Sequence, residues 1–306
     1  MRTVFLGTSP FAAAVLRRLA RSEHRPALVM TRPDRPAGRG RRLLAPAVAD
    51  AAVELGLALD QPDDVNGAGA RERIAAVRPD VVCVCAFGAL IKEPLLSEHE
   101  MINVHPSLLP RWRGAAPIER AIMAGDEQTG VAIMRVTAGL DSGPVALLGH
   151  DPIAQDDTFA SLSERLQELG GDLLVRALTE RPPFVEQSEQ GVTYAEKISP
   201  ADRLIDGAAA SAVALERVVR ALHPHVGARV ALADGSMLGL SRAAVADDAA
   251  PTAAGGLVQV DDRLLLSTRP GVLELLEVQP PGGRAMSARD YLRGHALPAG
   301  DAGARR

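Results

Sequence analysis

The sequence predicts an α/β fold: a doubly wound, mostly parallel sheet followed by a small β-barrel domain. Two observations predict it. Over roughly the first 180 residues, apolar strand-like runs alternate with amphipathic helical runs, the order that builds a parallel sheet with helices on both faces. Past about residue 182 the alternation stops, and one helical stretch precedes short strand-like runs separated by turn residues. At 306 residues the chain is long enough for two domains. The expected division is 1–183 for the first domain, 184–203 for a linker and 204–306 for the second.

In chain order, "RTVFLG" (2–7) reads as a strand. "SPFAAAVLRRLARS" (9–22) has helical spacing, with Ser9 as N-cap and Pro10 at the first helical position. "PALVMT" (26–31) is a second strand. "TRPDRPAGRGRR" (31–42) has two prolines, two glycines and no apolar period, so a loop is expected. "APAVADAAVELG" (45–56) and "GARERIAAVRPD" (69–80) read as helices, with a short strand at "LALDQP" between them. "VVCVCAF" (81–87) and "MINVH" (101–105) are buried strands that break into loops at their carboxyl ends, where α/β sheets bind ligands. A helix starting at Pro117, strands at 129–136 and 143–153, and a long helix over 157–180 capped by Asp157 complete the first domain. The polar stretch 181–202 reads as irregular. Beyond it come a helix at 210–222 and the strands "ARVALA", "LVQV", "RLLLS" and "VLELLEV".

Composition excludes several classes. No run of eighteen apolar residues occurs, and the N-terminal apolar stretch is too short for a signal peptide, so a cytoplasmic protein is expected. Cys83 and Cys85, two apart, fall on one strand face as reduced core residues. Net charge is −4, which gives no global signature of nucleic-acid binding. Positive charge is nonetheless concentrated in the arginine segment, at Arg32, Arg35, Arg39, Arg41 and Arg42, the kind of basic loop that contacts phosphate oxygens. A solvated surface run is the competing reading. "GTSPFA" after the first strand is neither a dinucleotide fingerprint nor a P-loop, which argues against dehydrogenases and kinases.

The chemistry-bearing stretch is "INVHPSLLP" (102–110). Asn103, His105 and Ser107 are spaced by two, so a continued strand sends all three from one face. An amide donor and a titratable imidazole then stand side by side, with Pro106 and Pro110 stiffening the exit. A satisfied polar cluster at a strand end is the bland alternative. Asp141, in the Gly-flanked loop "TAGLDSGPV", is either a turn residue or the carboxylate partner of that imidazole. Trp112, between two arginines, is read as a core-edge residue, with a stacking platform as the alternative. The other histidines lack ligand spacing; "HPH" (223–225) is read as a solvated turn and no metal is expected.

Together "NVHPSLLP", "TRPDRPAGRGRRLLAP", "RWRGAAPIERAIMAGD", "TYAEKIS" and "PPGGRAMSARDYLRG" resemble the 10-formyltetrahydrofolate-dependent formyltransferase family nearly end to end, its tRNA-acting branch in particular. The resemblance implies a Rossmann-like catalytic domain and an oligonucleotide-binding-like C-terminal barrel. It implies formyl transfer from 10-formyltetrahydrofolate to the α-amine of methionyl-initiator tRNA, without a metal or an obligate protein partner, by a monomer. Asn103, His105 and Asp141 become the catalytic group, with donor duty on Asn103 and protonated His105 and proton handling on Asp141. Phe87, Gly88, Ala89, Leu90, Ser107, Leu108, Leu109 and Pro110 line the folate pocket. Arg35, Arg39, Arg41 and Arg42 contact tRNA. Departures from the family pattern are "HPS" where that branch more often has "HGS", Phe87 for a commoner Tyr, and "HPHV" at the helix–barrel junction. Residues 201–306 also hold as many acids as arginines, where family barrels tend to be basic. A sugar-nucleotide amine is the alternative acceptor.

Overall fold

The computed structural model describes residues 1–37, 42–247 and 252–297. Its contacts form two compact units. The first comprises Met1–Pro117, Gln128–Pro152 and Ser163–Ala195; the second comprises Ile118–Glu127, Ile153–Leu162 and the chain from Glu196 onward.

The first unit starts with β1 (Thr3–Gly7), buried throughout, and α1 (Pro10–Ala20). The Ser9 hydroxyl accepts from Ala12 N and Pro10 opens the helix, the start its sequence prescribes. The turn between them closes only on glycine: a Cβ at Gly7 would stand 2.9 Å from that of Ala12 and 3.0 Å from Cys85 O. After β2 (Pro26–Met30), β3 (Arg35–Ala37) and β4 (Arg42–Leu44) pair antiparallel within the arginine segment, where a loop was expected. Backbone pairing across so short a ribbon needs no apolar period, and Leu43 and Leu44 stay exposed on it.

The chain continues through α2 (Ala47–Glu54), β5 (Leu59–Asp60), α3 (Ala68–Val77), β6 (Val81–Cys85), the single turn α4 (Leu95–Glu98), β7 (Met101–His105), β8 (Arg113–Gly114), α5 (Pro117–Ala124), β9 (Gln128–Arg135), β10 (Val145–Pro152), α6 (Phe159–Glu180) and β11 (Tyr194–Ala195). The main sheet runs β10-β9-β7-β6-β1-β2-β5. Strands β5, β2, β1, β6 and β7 are parallel, and β9 and β10 close one edge antiparallel. The short β9–β10 loop leaves no room for the crossover a parallel pair requires. At the start of α6, Thr158 rather than Asp157 is the cap. Thr158 and Ser161 exchange backbone-to-hydroxyl bonds, while the Asp157 carboxylate accepts from Ala154 N and the Ser161 hydroxyl. Residues 184–195, expected as linker, pair into this unit: Val185 bridges Val145 in both directions, and β11 lies on β8.

In the second unit, a turn of 3₁₀ helix (Ala201–Arg203) leads to α7 (Ala212–Leu222), capped by Ser211, then β12 (Ala228–Ala231), β13 (Met237–Ala246), β14 (Leu257–Val260), β15 (Arg263–Ser267), β16 (Val272–Gln279), β17 (Met286–Ser287) and α8 (Ala288–Gly294). The sheet is antiparallel, in the order β12-β13-β16-β15-β14 with β17 on β16. No ladder joins β12 to β14 among the described residues, and shifts of register bend β13 against β16. Leu215, Val219 and Leu222 of α7 pack on Leu238, Leu240, Leu273 and Leu275. The strand reading passes over β13, whose Gly, Ser and Ala content has low β propensity; pairing on both sides makes it a strand. It also passes over α8, too short at seven residues to show a period. No described helix is long and apolar enough to cross a membrane.

Cys83 and Cys85 are fully buried in β6, and burial pushes the Cys83 thiol up to about 12 and Cys85 higher still. The thiolate is the reactive form, so at pH 8 neither should label with a chromogenic disulfide reagent in the native protein, and both should label in denaturant. Rapid native labelling would contradict the burial.

Candidate active site

The site forms where β6 and β7 end. In β7 the alternation places Asn103 and His105 on the cavity face, and Val104 faces α6, where a Cβ on Gly170 would stand 2.9 Å from Val104 Cγ1. A cavity of about 610 Å³ opens beyond these carboxyl ends. Its wall runs through the loop after β6, through Asn103–Pro106, through Gly114, Ala115 and Pro117, and through the loop that carries Asp141. That volume lies within the usual range for a small-molecule pocket.

Phe87, Gly88, Ala89 and Leu90 all line this cavity. Their loop is tied down by the Thr8 hydroxyl, donating to Phe87 O at 2.6 Å, by Arg32 Nη1 to Gly88 O at 3.1 Å, and by the Asn66 amide to Leu90 O at 3.0 Å. Ser107, Leu108, Leu109 and Pro110 are not on the wall. Strand β7 stops at His105, and Ser107 N turns back to His105 O at 2.9 Å, so Ser107 leaves the shared face. It is fully buried and its hydroxyl donates to Arg111 O at 2.7 Å, while Leu109 packs with Ala132 and Met134. These four residues shape the loop behind the wall.

That loop returns Trp112 to the imidazole. His105, only 3 % exposed, places Nε2 at 2.9 Å from Trp112 O. A carbonyl only accepts, so Nε2 carries a hydrogen in every ionisation state and Nδ1 is the nitrogen that gains or loses one. Nδ1 faces Asp141 Oδ2 at 3.6 Å, inside ion-pair range and just beyond a hydrogen bond. The same Oδ2 accepts from Gly114 N at 2.9 Å. No hydrogen bond engages the Asn103 side-chain amide among the described residues, so its two donors stay available to the cavity. The three sequence-predicted groups therefore converge. Nε2 is spent on Trp112, so whatever hydrogen His105 offers the cavity or Asp141 stands on Nδ1.

Sequence reasoning misses the backbone partners. Trp112 (φ 63°) and Asp141 (φ 44°) both adopt left-handed backbone, uncommon for non-glycine residues. The half-buried Trp112 ring carries Arg111 at 4.4 Å, but its carbonyl makes the contact with His105. Thr193 accepts from Trp112 N, and Gln187 holds the Asp141 turn; both lie in the stretch read as linker. Only Gly114 left a sequence signal, in "RGAAP".

Of the arginine segment, Arg35 is exposed in β3 and Arg42 is described through its backbone in β4; Arg39 and Arg41 lie outside the described residues. His225 pairs with Glu119 at 2.9 Å and stacks on Phe159, and no group of three or more metal-ligating side chains occurs among the described residues.

Comparison with known proteins finds two family models on the chain: "Formyl transferase" over residues 1–178 and "Formyl transferase, C-terminal domain" over 197–296. A protein of Methylococcus capsulatus named methionyl-tRNA formyltransferase is 44% identical, covering 97% of this chain and 98% of its own length. One of the same name from Dechloromonas aromatica is 43% identical, covering 98% of each. Among solved structures, the methionyl-tRNA formyltransferase of Clostridium thermocellum shares the fold with a TM-score of 0.58 at 15% identity, over 81% of this chain and 95% of that one. A sugar 3N-formyl transferase does so with a TM-score of 0.64 at 14% identity, over 90% and 97%.

Gly114 has φ 127°, and a Cβ there would sit 2.6 Å from Ala195 O. Gly114→Ala is expected to cost about 1–3 kcal/mol, read as a lower melting temperature. An unchanged melting temperature would mean that β8 and β11 yield freely.

Proposed function

This chain belongs to the formyl transferase family, and from that premise we propose that it moves the formyl group of 10-formyltetrahydrofolate to the α-amine of methionyl-initiator tRNA. The observation that carries the chemistry is the convergence of Asn103, His105 and Asp141 on one cavity wall. The fit to the donor rests on that cavity's size and its largely apolar loop from Phe87 to Leu90. Ser107 to Pro110 act on the donor indirectly, by setting the shape of the wall.

When bound, the donor presents its formyl group on N10. A bond forms from the α-nitrogen of the acceptor to the formyl carbon, the bond from that carbon to N10 breaks, and the proton lost by the amine is balanced by one gained at N10. Asn103 offers its amide to the negative charge that develops on the formyl oxygen, a contribution of about 3–4 kcal/mol for a well-placed donor. His105, with Nε2 fixed on Trp112 O, handles a proton at Nδ1, and Asp141 takes or returns it.

The division of labour that accompanies this reading assigns the first compact unit, which includes residues 184–195, to catalysis, and the C-terminal residues from about 204 to tRNA contact. Arg35, Arg39, Arg41 and Arg42 meet the acceptor's phosphates, and with no charge excess in the C-terminal residues they carry more of the electrostatic attraction. The enzyme works as a single chain in the cytoplasm, where translation begins.

Purified protein with 10-formyltetrahydrofolate should formylate charged initiator tRNA in preference to charged elongator tRNA, amino-sugar nucleotides or water; formyl appearing only on an amino sugar would remove the tRNA assignment. Asp141→Asn should lower turnover by about 10²–10⁴-fold with the circular dichroism spectrum unchanged, and a small effect would refute its proton role. Arg39→Ala should raise KM for tRNA and leave folate binding intact. Equal loss of both would make that segment structural.

A further inference from the structure

We propose that Gln187 is a positioning residue for the reaction, the closing member of a hydrogen-bonded ring that holds the Asp141 carboxylate at His105. The inference rests on the role given to Asp141 above.

Asp141 has left-handed backbone at φ 44°, a conformation that needs outside support. Gln187 supplies it. Its Nε2 donates to Asp141 O at 2.8 Å and to Gly143 O at 2.7 Å, so one amide group spans the turn on both sides of Ser142. Its Oε1 accepts from Nε and Nη2 of Arg113 at 3.0 and 2.8 Å. Guanidinium only donates and backbone carbonyls only accept, so the amide has a single possible orientation. Arg113 is buried, and its backbone N–H donates to Thr193 O at 2.9 Å. The next residue, Gly114, donates its N–H to Asp141 Oδ2. The ring is therefore complete: carboxylate to Gly114, along the chain to Arg113, through the guanidinium to Gln187, and back to the carbonyl of the same aspartate. Both ends of Asp141 are held by one circuit, and the charge on Arg113 polarises the amide so that it donates more strongly.

Gln187 does not itself line the cavity, and no hydrogen bond joins it to His105 among the described residues, so its effect must pass through Asp141. The test is a double-mutant cycle on the purified enzyme, with 10-formyltetrahydrofolate and charged initiator tRNA. Gln187→Met keeps the length and removes the bonds. It should lower kcat by about 10- to 100-fold, the scale of a misplaced catalytic group, with KM for the folate within about threefold. In the Asp141→Asn background the same change should lower kcat by less than about threefold, since two residues acting as one unit are not additive. Should Gln187→Met not fold, Gln187→Glu serves instead. It retains the partner of Arg113 but sets carboxylate oxygens against two carbonyls, and the same non-additivity is expected. Equal losses in both backgrounds, or full activity of the single variant, would overturn the proposal. If Asp141→Asn is itself fully active, the failure lies with the proposed role of Asp141. If Asp141→Asn is inactive while Gln187→Met is normal, it lies with Gln187 alone.

Discussion

One hydrogen bond decides what the site can do: His105 Nε2 to the carbonyl of Trp112. It sets the face of the imidazole, leaving Nδ1 toward Asp141. Much of the local architecture exists to deliver that carbonyl. Strand β7 ends at His105, Ser107 folds back on it, the Ser107 hydroxyl catches Arg111 O, and Leu109 anchors the loop in apolar surroundings. Trp112 arrives in left-handed backbone, with its amide held by the Thr193 hydroxyl. A side chain placed by its own strand, and a carbonyl placed by a loop and a distant segment, meet within one hydrogen bond.

The extent to which this was legible differs by kind of interaction. The parallel sheet, the ends of α1, and Asn103 and His105 side by side follow from period, caps and spacing, all of which are local. Asp141 was visible only as an aspartate in a glycine-flanked loop; nothing in its neighbourhood shows that it returns to a strand almost forty residues earlier. Ser107 shows the limit of extrapolating a period, since a proline at 106 is where the strand stops. Gln187 and Thr193 left no trace, because backbone carbonyls and amides are the same in every residue and the stretch that carries the two side chains looks like linker. In the second unit, β13 was missed for a related reason: its residues have no strand preference of their own and are strands by virtue of two neighbours.

The sheet and the site divide the work of rigidity. The strand that carries Asn103 and His105, β7, is ladder-bonded on both sides, so those side chains are placed by the fold itself. The loops that carry Trp112 and Asp141 have no ladder, and each holds a non-glycine residue at positive φ. They are secured one bond at a time by residues 187 and 193. The segment after α6, through Ala195, accordingly belongs to the first compact unit.

The choice of an amide between Arg113 and the Asp141 turn is itself informative. A guanidinium placed directly on the carboxylate would hold that aspartate more firmly, but a close ion pair would also stabilise the ionised form and so weaken it as a proton acceptor. In this arrangement the guanidinium meets Gln187 Oε1, and the carboxylate is held by the neutral Gly114 N–H. Geometry passes through the glutamine while most of the charge stays behind it. The carboxylate is thus oriented by a neutral N–H and a braced turn, with the His105 imidazole facing it at 3.6 Å.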